Sequence, residues 1–439
     1  MPRSTWSGVA LAVTLAFAAP AHAVDRVPRP TAPQPSPVDS ASFVPADSLT
    51  GRGEEPIVVR AQSAEGGEWL RTPFGDALLT PPEIWLARPR PHPWHVDLTL
   101  DYNRVDLLRT GLWFQTQSPQ TMQPRLGARL GYATGRERAL YGVQLEQPLL
   151  PTARFVAGIE RSRVTDHPDL EQIDDLENSL LLLVAHEDWR DYFEREGSGA
   201  YLSWRVPDFS TVSLHLREDD WRSLASSRHV FSLARNDRPL RDNPAIDDGT
   251  THSVILRLER LAHRTRRSRG GFYHWIELER AGNGLGGDFD YTRALADLRS
   301  VMRLTPGTSI ALRTTGGAAL SGTLPLQRQF ALGGADGLRA HPFGSFHGDR
   351  VALAQAEYSV GLRPLRAKPF EGGMQALAFV DAGTAWLRSA QDDLADQRFA
   401  VDGGVGLATS DDDLRLTFAR NLQQSNAAIV VSLRLQRPF

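Results

Sequence analysis

From His95 to the end of the chain, apolar and polar side chains alternate in short runs of eight to twelve residues, with turn-forming residues between the runs. In "VALAQAEYSVGL", Ala352, Ala354, Ala356, Tyr358 and Val360 lie on one face, and Gln355, Glu357 and Ser359 on the other. Val212, Leu214 and Leu216 oppose Ser213, His215 and Arg217. Leu414, Leu416 and Phe418 oppose Arg415 and Thr417. Ile429, Val431, Leu433 and Leu435 oppose Ser432, Arg434 and Gln436. A period of two is the signature of β-strands. The pattern predicts strands over 95–103, 106–117, 125–133, 138–147, 153–162, 196–206, 209–217, 250–260, 271–280, 291–303, 307–316, 350–361, 373–381, 401–409, 412–421 and 427–437. The stretch 176–195, "LENSLLLLVAHEDWRDYFER", reads either as a helix in a loop or as a further strand that would displace 95–103.

Alternation alone does not say what the apolar face meets. In a soluble sandwich it meets a second sheet; in a membrane barrel it meets lipid, and the polar face lines a lumen. Three features favour the barrel. The chain opens with an export signal: Arg3, an apolar stretch over 8–19, and the small-residue cleavage site Ala21-His22-Ala23. No run is long and apolar enough for a membrane helix. The chain also ends on an aromatic residue directly after its last strand, so Leu433, Leu435 and Phe439 form a terminal strand signal for the outer membrane. Arg437 departs from the outward apolar phase, and its long stem suits snorkelling to headgroups. The expected fold is therefore all-β, a transmembrane antiparallel barrel of about sixteen strands in the bacterial outer membrane. The short turns at 206–209 and 305–307 then face the periplasm, and the long connections 163–195, 218–249 and 317–349 face outside.

Composition narrows the reading further. The chain has no cysteine, which excludes a disulfide scaffold, thiolate metal sites and a lipidated N-terminal Cys. A formal charge of −3 gives no reason to expect a nucleic-acid partner. Residues 24–94, proline-rich in their first third, read as a periplasmic linker with no folded domain.

The long connection 317–349 concentrates the chemistry. Its segment "GGADGLRAHPFGSFHGDR" (333–350) holds five glycines and a proline in eighteen residues, together with Arg339, His341, Phe343, His347 and Asp349. The paired glycines 333 and 334, Leu338-Arg339, and a Gly-Asp-Arg leading into a strand that contains Ala-Glu-Tyr resemble the sixth loop of the BamA/TamA superfamily of outer-membrane barrels. "FVDAG" supplies the Phe-x-Asp motif of that family as Phe379 and Asp381. "NRVD" (103–106) and "GGVGLATS" (403–410) are similar to further segments of such barrels. The hallmark Arg-Gly-aromatic tripeptide of the family stands here as Arg339-Ala340-His341, with Phe343 as the aromatic candidate two residues on.

The resemblance implies that the loop folds back into the lumen, that Leu338, Arg339, Ala340, His341 and Phe343 form its tip, and that Arg339 pairs with Asp381. At 4 Å such a pair gains about 4 kcal/mol of Coulomb attraction at an effective dielectric of 20, much of it offset by desolvation. Its role is to place the loop. The resemblance is to short members without POTRA domains, and it implies assistance to insertion or translocation of a protein or lipid, without cofactor, metal or catalytic residue. The partners implied are outer-membrane lipid and a protein substrate or periplasmic partner. A passive pore or surface-antigen barrel is the alternative.

Other chemistry is weaker. His341 and His347 with Asp336 and Asp349 lack the convergence of a metal site. Ser213 and His215 share a face but suggest no third partner, and no G-x-S-x-G elbow occurs. "GNGLGG" (282–287) joins two strands instead of opening a helix. The basic run "HRTRRSRGG" (263–271) reads as a solvated periplasmic turn, with contact to anionic lipid headgroups as the alternative.

Overall fold

The computed structural model describes residues 94–435 except 117–121, 151–154, 170–172, 174, 207–209, 235–238, 261–270, 283, 306, 363–372, 389–393, 395–396 and 410–413, together with the pairs 71–72 and 75–76. The export signal, most of the linker, the basic run and Phe439 lie outside the described residues.

Sixteen strands form one antiparallel sheet in chain order. They are β1 (Trp94–Asn103), β2 (Leu107–Thr116), β3 (Arg125–Ala133), β4 (Arg138–Pro148) and β5 (Phe155–Asp166). A helix, α1 (Asp175–Ala185), lies in the connection to β6 (Phe193–Arg205) and β7 (Thr211–Ser223). Then come β8 (Gly249–Arg260), β9 (Gly271–Ala281), β10 (Tyr291–Thr305) and β11 (Thr308–Gly322). The last five are β12 (Arg350–Gly361), β13 (Met374–Trp386), β14 (Ala400–Thr409), β15 (Arg415–Asn421) and β16 (Val430–Arg434). Every consecutive pair is hydrogen-bonded, while among the described residues β1 and β16 share no ladder.

Burial is inverted relative to a soluble protein. The outward positions are apolar and bare: Leu100 is 62% exposed and Leu130 65%. The inward positions are charged and sealed: Arg195, Arg257, Arg293, Arg313 and Arg415 are all at most 2% exposed. Lipid can accept the first set, and only paired acids can accept the second. The strand ladders satisfy the backbone, which hydrocarbon cannot do.

The strands expected from alternation correspond one for one with these sixteen. Several run further towards the long-loop end than alternation indicates. β7 continues through "EDDWRS" to Ser223, and β13 continues to Trp386. In the β7 extension both faces carry charges, so alternation disappears, yet Glu218 to Trp221 still pair with His252 to Gly249. The ambiguous stretch resolves as α1 followed by extended chain into β6, and β1 keeps its place in the sheet. The turn 282–287 joins β9 to β10 as expected.

The connection between β11 and β12 folds inside. A 3-10 turn over Leu326–Arg328 is followed by a small hairpin pairing Phe330–Leu332 with Phe346–Gly348. Leu324, Phe330, Leu332 and Leu338 pack with Leu295, Val351 and Leu353 from the inner wall. This apolar plug is why the loop stays inside: its greasy side chains find the few greasy positions of the lumen.

Candidate functional site

Register builds the site. Arg313 on β11 sits opposite Gln355 on β12, Gln355 opposite Asp381 on β13, Asp381 opposite Asp402 on β14, and Asp402 opposite Asn421 on β15. Five inward polar side chains thus make one row across five strands. The loop tip lies along that row and bonds to each member.

Arg313 donates to the carbonyl of Asp336 at 2.7 Å, and Gln355 Nε2 donates to the carbonyl of Gly337 at 2.8 Å. Arg339 Nε lies 3.0 Å from Asp381 Oδ2, and its Nη2 donates to Asp381 Oδ1 at 3.2 Å. Its Nη1 reaches Glu357 Oε2 at 3.0 Å. Arg415 holds the other oxygen of Glu357 at 2.7 Å, so one carboxylate bridges two guanidinium groups. The Ala340 N–H donates to Asp402 Oδ2 at 2.7 Å, and His341 Nδ1 lies 3.1 Å from the same oxygen. Asn421 Nδ2 stands 3.2 Å from His341 Nε2. A neutral ring with its proton on Nδ1 satisfies both contacts, donating to Asp402 and accepting from Asn421.

The guanidinium of Arg339 also lies 3.9 Å above the centre of the Phe379 ring. A cation over an aromatic face is worth about 0.5–2 kcal/mol, the more so when desolvated. Phe379 lies flat because Gly404 faces it: a Cβ there would come within 2.6 Å of the ring and would also collide with the Phe418 carbonyl. Gly404→Ala is therefore expected to tilt Phe379, loosen Arg339 and make the folded barrel electrophorese as a heat-labile species, while Ala378→Gly on the same strand leaves its mobility unchanged.

The tip residues thus divide. Leu338 is fully buried in the apolar plug, and Arg339, Ala340 and His341 engage the wall. Phe343 does not supply the aromatic partner of Arg339: it lies under Arg241 from the loop after β7, with the guanidinium 5.0 Å from its ring. The strand residue Phe379 takes that place. Of the terminal strand residues, Leu433 faces outward at 48% exposure and Leu435 is half-buried beyond the end of β16. Sequence reasoning did not single out Glu357, Gln355, Asp402, Arg415 or Asn421. Each is one inward polar position among many, and only cross-strand register shows that they meet.

A second buried network supports the root of the loop. Arg328 bonds to Glu279, Glu277 and Asp169; Arg293 bonds to Asp169 and Glu277; Arg257 bonds to Glu277. Asp169, from the connection after β5, is thereby drawn into the lumen. Burial would push its carboxyl up, but Arg328, Arg293 and Arg257 outweigh that and hold it below the ordinary carboxylate range.

His347 is exposed, whereas His341 is engaged with Asp402. Among the described residues no group of three or more His, Asp or Glu is placed to hold a metal ion. His215 Nε2 lies 3.0 Å from Ser213 Oγ, and its ring stacks on Tyr201 within the buried inner face.

Comparison with known proteins fits this geometry. Residues 251–428 match the Omp85 superfamily domain, a span that contains the folded loop and all five strands of the polar row. The barrel of BamA from Haemophilus ducreyi lacking POTRA domains 1–3 superposes with a TM-score of 0.53 at 13% identity, covering 78% of this chain and 70% of that one. CdiB from Acinetobacter baumannii gives 0.42 at 14% identity, covering 78% and 60%. CdiB from Escherichia coli gives 0.45 at 14%, covering 79% and 62%. No curated protein sequence matches.

Proposed function

Starting from an outer-membrane β-barrel that carries an Omp85 superfamily domain, we propose that it assists a protein client to insert into or cross the outer membrane at the seam between β1 and β16. The observation that carries this reading is a contrast within one sheet. The interior is filled by a loop bonded to five adjacent strands, while the first and last strands share no ladder among the described residues. A strand edge without a paired strand offers N–H and C=O groups to an extended segment, and main-chain hydrogen bonds would give it affinity without a catalytic group. Filling of the lumen argues against a passive pore.

The test uses the full chain reconstituted in phosphatidylcholine vesicles and a small β-barrel protein unfolded in urea. Vesicles carrying the protein are expected to fold that barrel faster than empty vesicles, read as heat-modifiable mobility. Equal rates, combined with a large steady conductance in planar bilayers, would replace this reading with the pore.

A further inference from the structure

The seam is not empty. Because β1 has a strand neighbour on one side only, alternate backbone groups along its other edge need partners from elsewhere. The Tyr102 N–H finds one on α1: it donates to Ser179 Oγ at 2.8 Å, and the Ser179 hydroxyl donates in turn to the Asp175 carbonyl. At the other side of the seam, the Leu435 N–H, just past β16, donates to Glu177 Oε1 at 3.0 Å. Arg434 Nε reaches the same oxygen at 2.7 Å. Two residues apart on one helix, Glu177 and Ser179 therefore touch the backbone at both ends of the sheet.

The helix has a second face. Leu176, Leu180 and Val184, spaced four apart, are exposed on one side, whereas Glu177, Asn178, Ser179 and Leu182 are buried on the other. This spacing places the three apolar residues in one stripe. The two strands that the helix bonds to also carry exposed apolar outward residues, Leu98 and Leu100 on β1 and Val431 and Leu433 on β16. Beyond Val184, Phe231 and Leu233 extend it. The backbone N–H and C=O of Phe231 bond to the Tyr102 hydroxyl, and the Leu233 N–H donates to the Leu183 carbonyl. On the buried side Asn178 bonds to Asp188 and Tyr192, and Asp188 pairs with Arg104 at the β1–β2 turn.

We propose that α1 is a helical stave of the barrel wall: it fills the gap between β1 and β16, presents Leu176, Leu180 and Val184 to lipid acyl chains, and keeps the edge of β1 covered until it swings aside. The occupant of the outer face is lipid because the helix is bonded to β1 and to the end of β16, and its exposed residues, like the outward ones of both strands, are apolar. The covering of β1 by a serine hydroxyl, a side-chain bond in place of a strand ladder, is what makes the closure reversible. The gating half of this proposal rests on the client-handling function above; the wall half does not.

The chain contains no cysteine, so single cysteines report without background. Leu180→Cys, Leu100→Cys and Gln424→Cys would each carry an environment-sensitive fluorophore in vesicles of phosphatidylcholine with brominated acyl chains. Quenching at position 180 is expected to match that at position 100. Quenching as weak as at position 424, in an exposed turn, would overturn the wall assignment. For the gate, Glu177→Cys with Leu435→Cys would be oxidised in the same vesicles. The crosslinked protein is expected to lose its acceleration of client folding, and reduction to restore it. Equal acceleration by crosslinked and reduced protein would overturn the gate and leave client handling standing. If reduced and unmodified proteins both fail to accelerate, client handling fails and the gate with it, whereas the quenching result still decides the wall assignment.

Discussion

Glu277→Ala is expected to destabilise the folded barrel by about 3–5 kcal/mol, the scale of breaking a buried ion pair by removing one partner. Glu277 is fully enclosed and contacts three guanidinium groups, those of Arg257, Arg293 and Arg328. These three cations bond to Glu277, Glu279 and Asp169, and Glu259 adds a further carboxyl beside Arg257. Without Glu277 the three guanidinium groups lose an acid that all of them contact, in a site with little access to water. Glu277→Gln keeps the shape and most of the packing but not the charge, and should lose nearly as much. Adding Arg257→Met to Glu277→Gln removes a cation that has lost its ion pair with Glu277 and should recover part of the loss, since well-packed apolar groups replace buried pairs at little cost. The check is the urea midpoint of the detergent-solubilised barrel, with the slope unchanged. Equal midpoints for the single and double variants would mean that the deficit is one of packing rather than charge.

Arg339→Ala has the second-largest expected effect, and a different one. It removes the contacts to Asp381 and Glu357 and the cation over Phe379, so two acids are left with reduced compensation. The apolar plug of Leu324, Phe330 and Leu332 still holds the root of the loop, so the sheet should survive while the tip comes away from the wall. The expected result is a barrel that loses heat-resistant mobility and becomes open to protease near Gly337, at a cost of about 3–5 kcal/mol. Asp381→Ala should do the same. Arg339→Asp combined with Asp381→Arg should recover part of the loss, and effects that simply add would argue against direct coupling. Recovery will be incomplete because Glu357 would then face an aspartate.

The alternation of apolar and polar positions carried nearly all of the sheet. It works because the two faces meet different media, and it fails where they do not. Past the membrane both faces of β7 are charged, so Asp219, Asp220 and Trp221 gave no period although they pair in full with β8. The stretch around Leu180 failed for another reason. A run of four leucines has no period, and only the inward grouping of Glu177, Asn178 and Ser179 distinguishes the helix from a strand. In the loop, Leu338-Arg339 and Phe379-x-Asp381 were legible as motifs. The aromatic partner was not, because Phe379 meets Arg339 only once the loop is folded against β13, while Phe343 lies under Arg241. Glu357 and Asp402 were hidden more deeply: each matters through the strand beside it, and cross-strand register is not written in any one strand.

The central claim is that lipid receives the apolar face of these strands and a filled lumen receives the polar one. A nitroxide scan along β12, one cysteine at a time from Val351 to Val360 in reconstituted bilayers, tests it directly. Collision with oxygen, which concentrates in hydrocarbon, should peak at Ala352, Ala354, Ala356, Tyr358 and Val360 and fall at Leu353, Gln355, Glu357 and Ser359. A flat profile, or peaks at the polar positions, would contradict it.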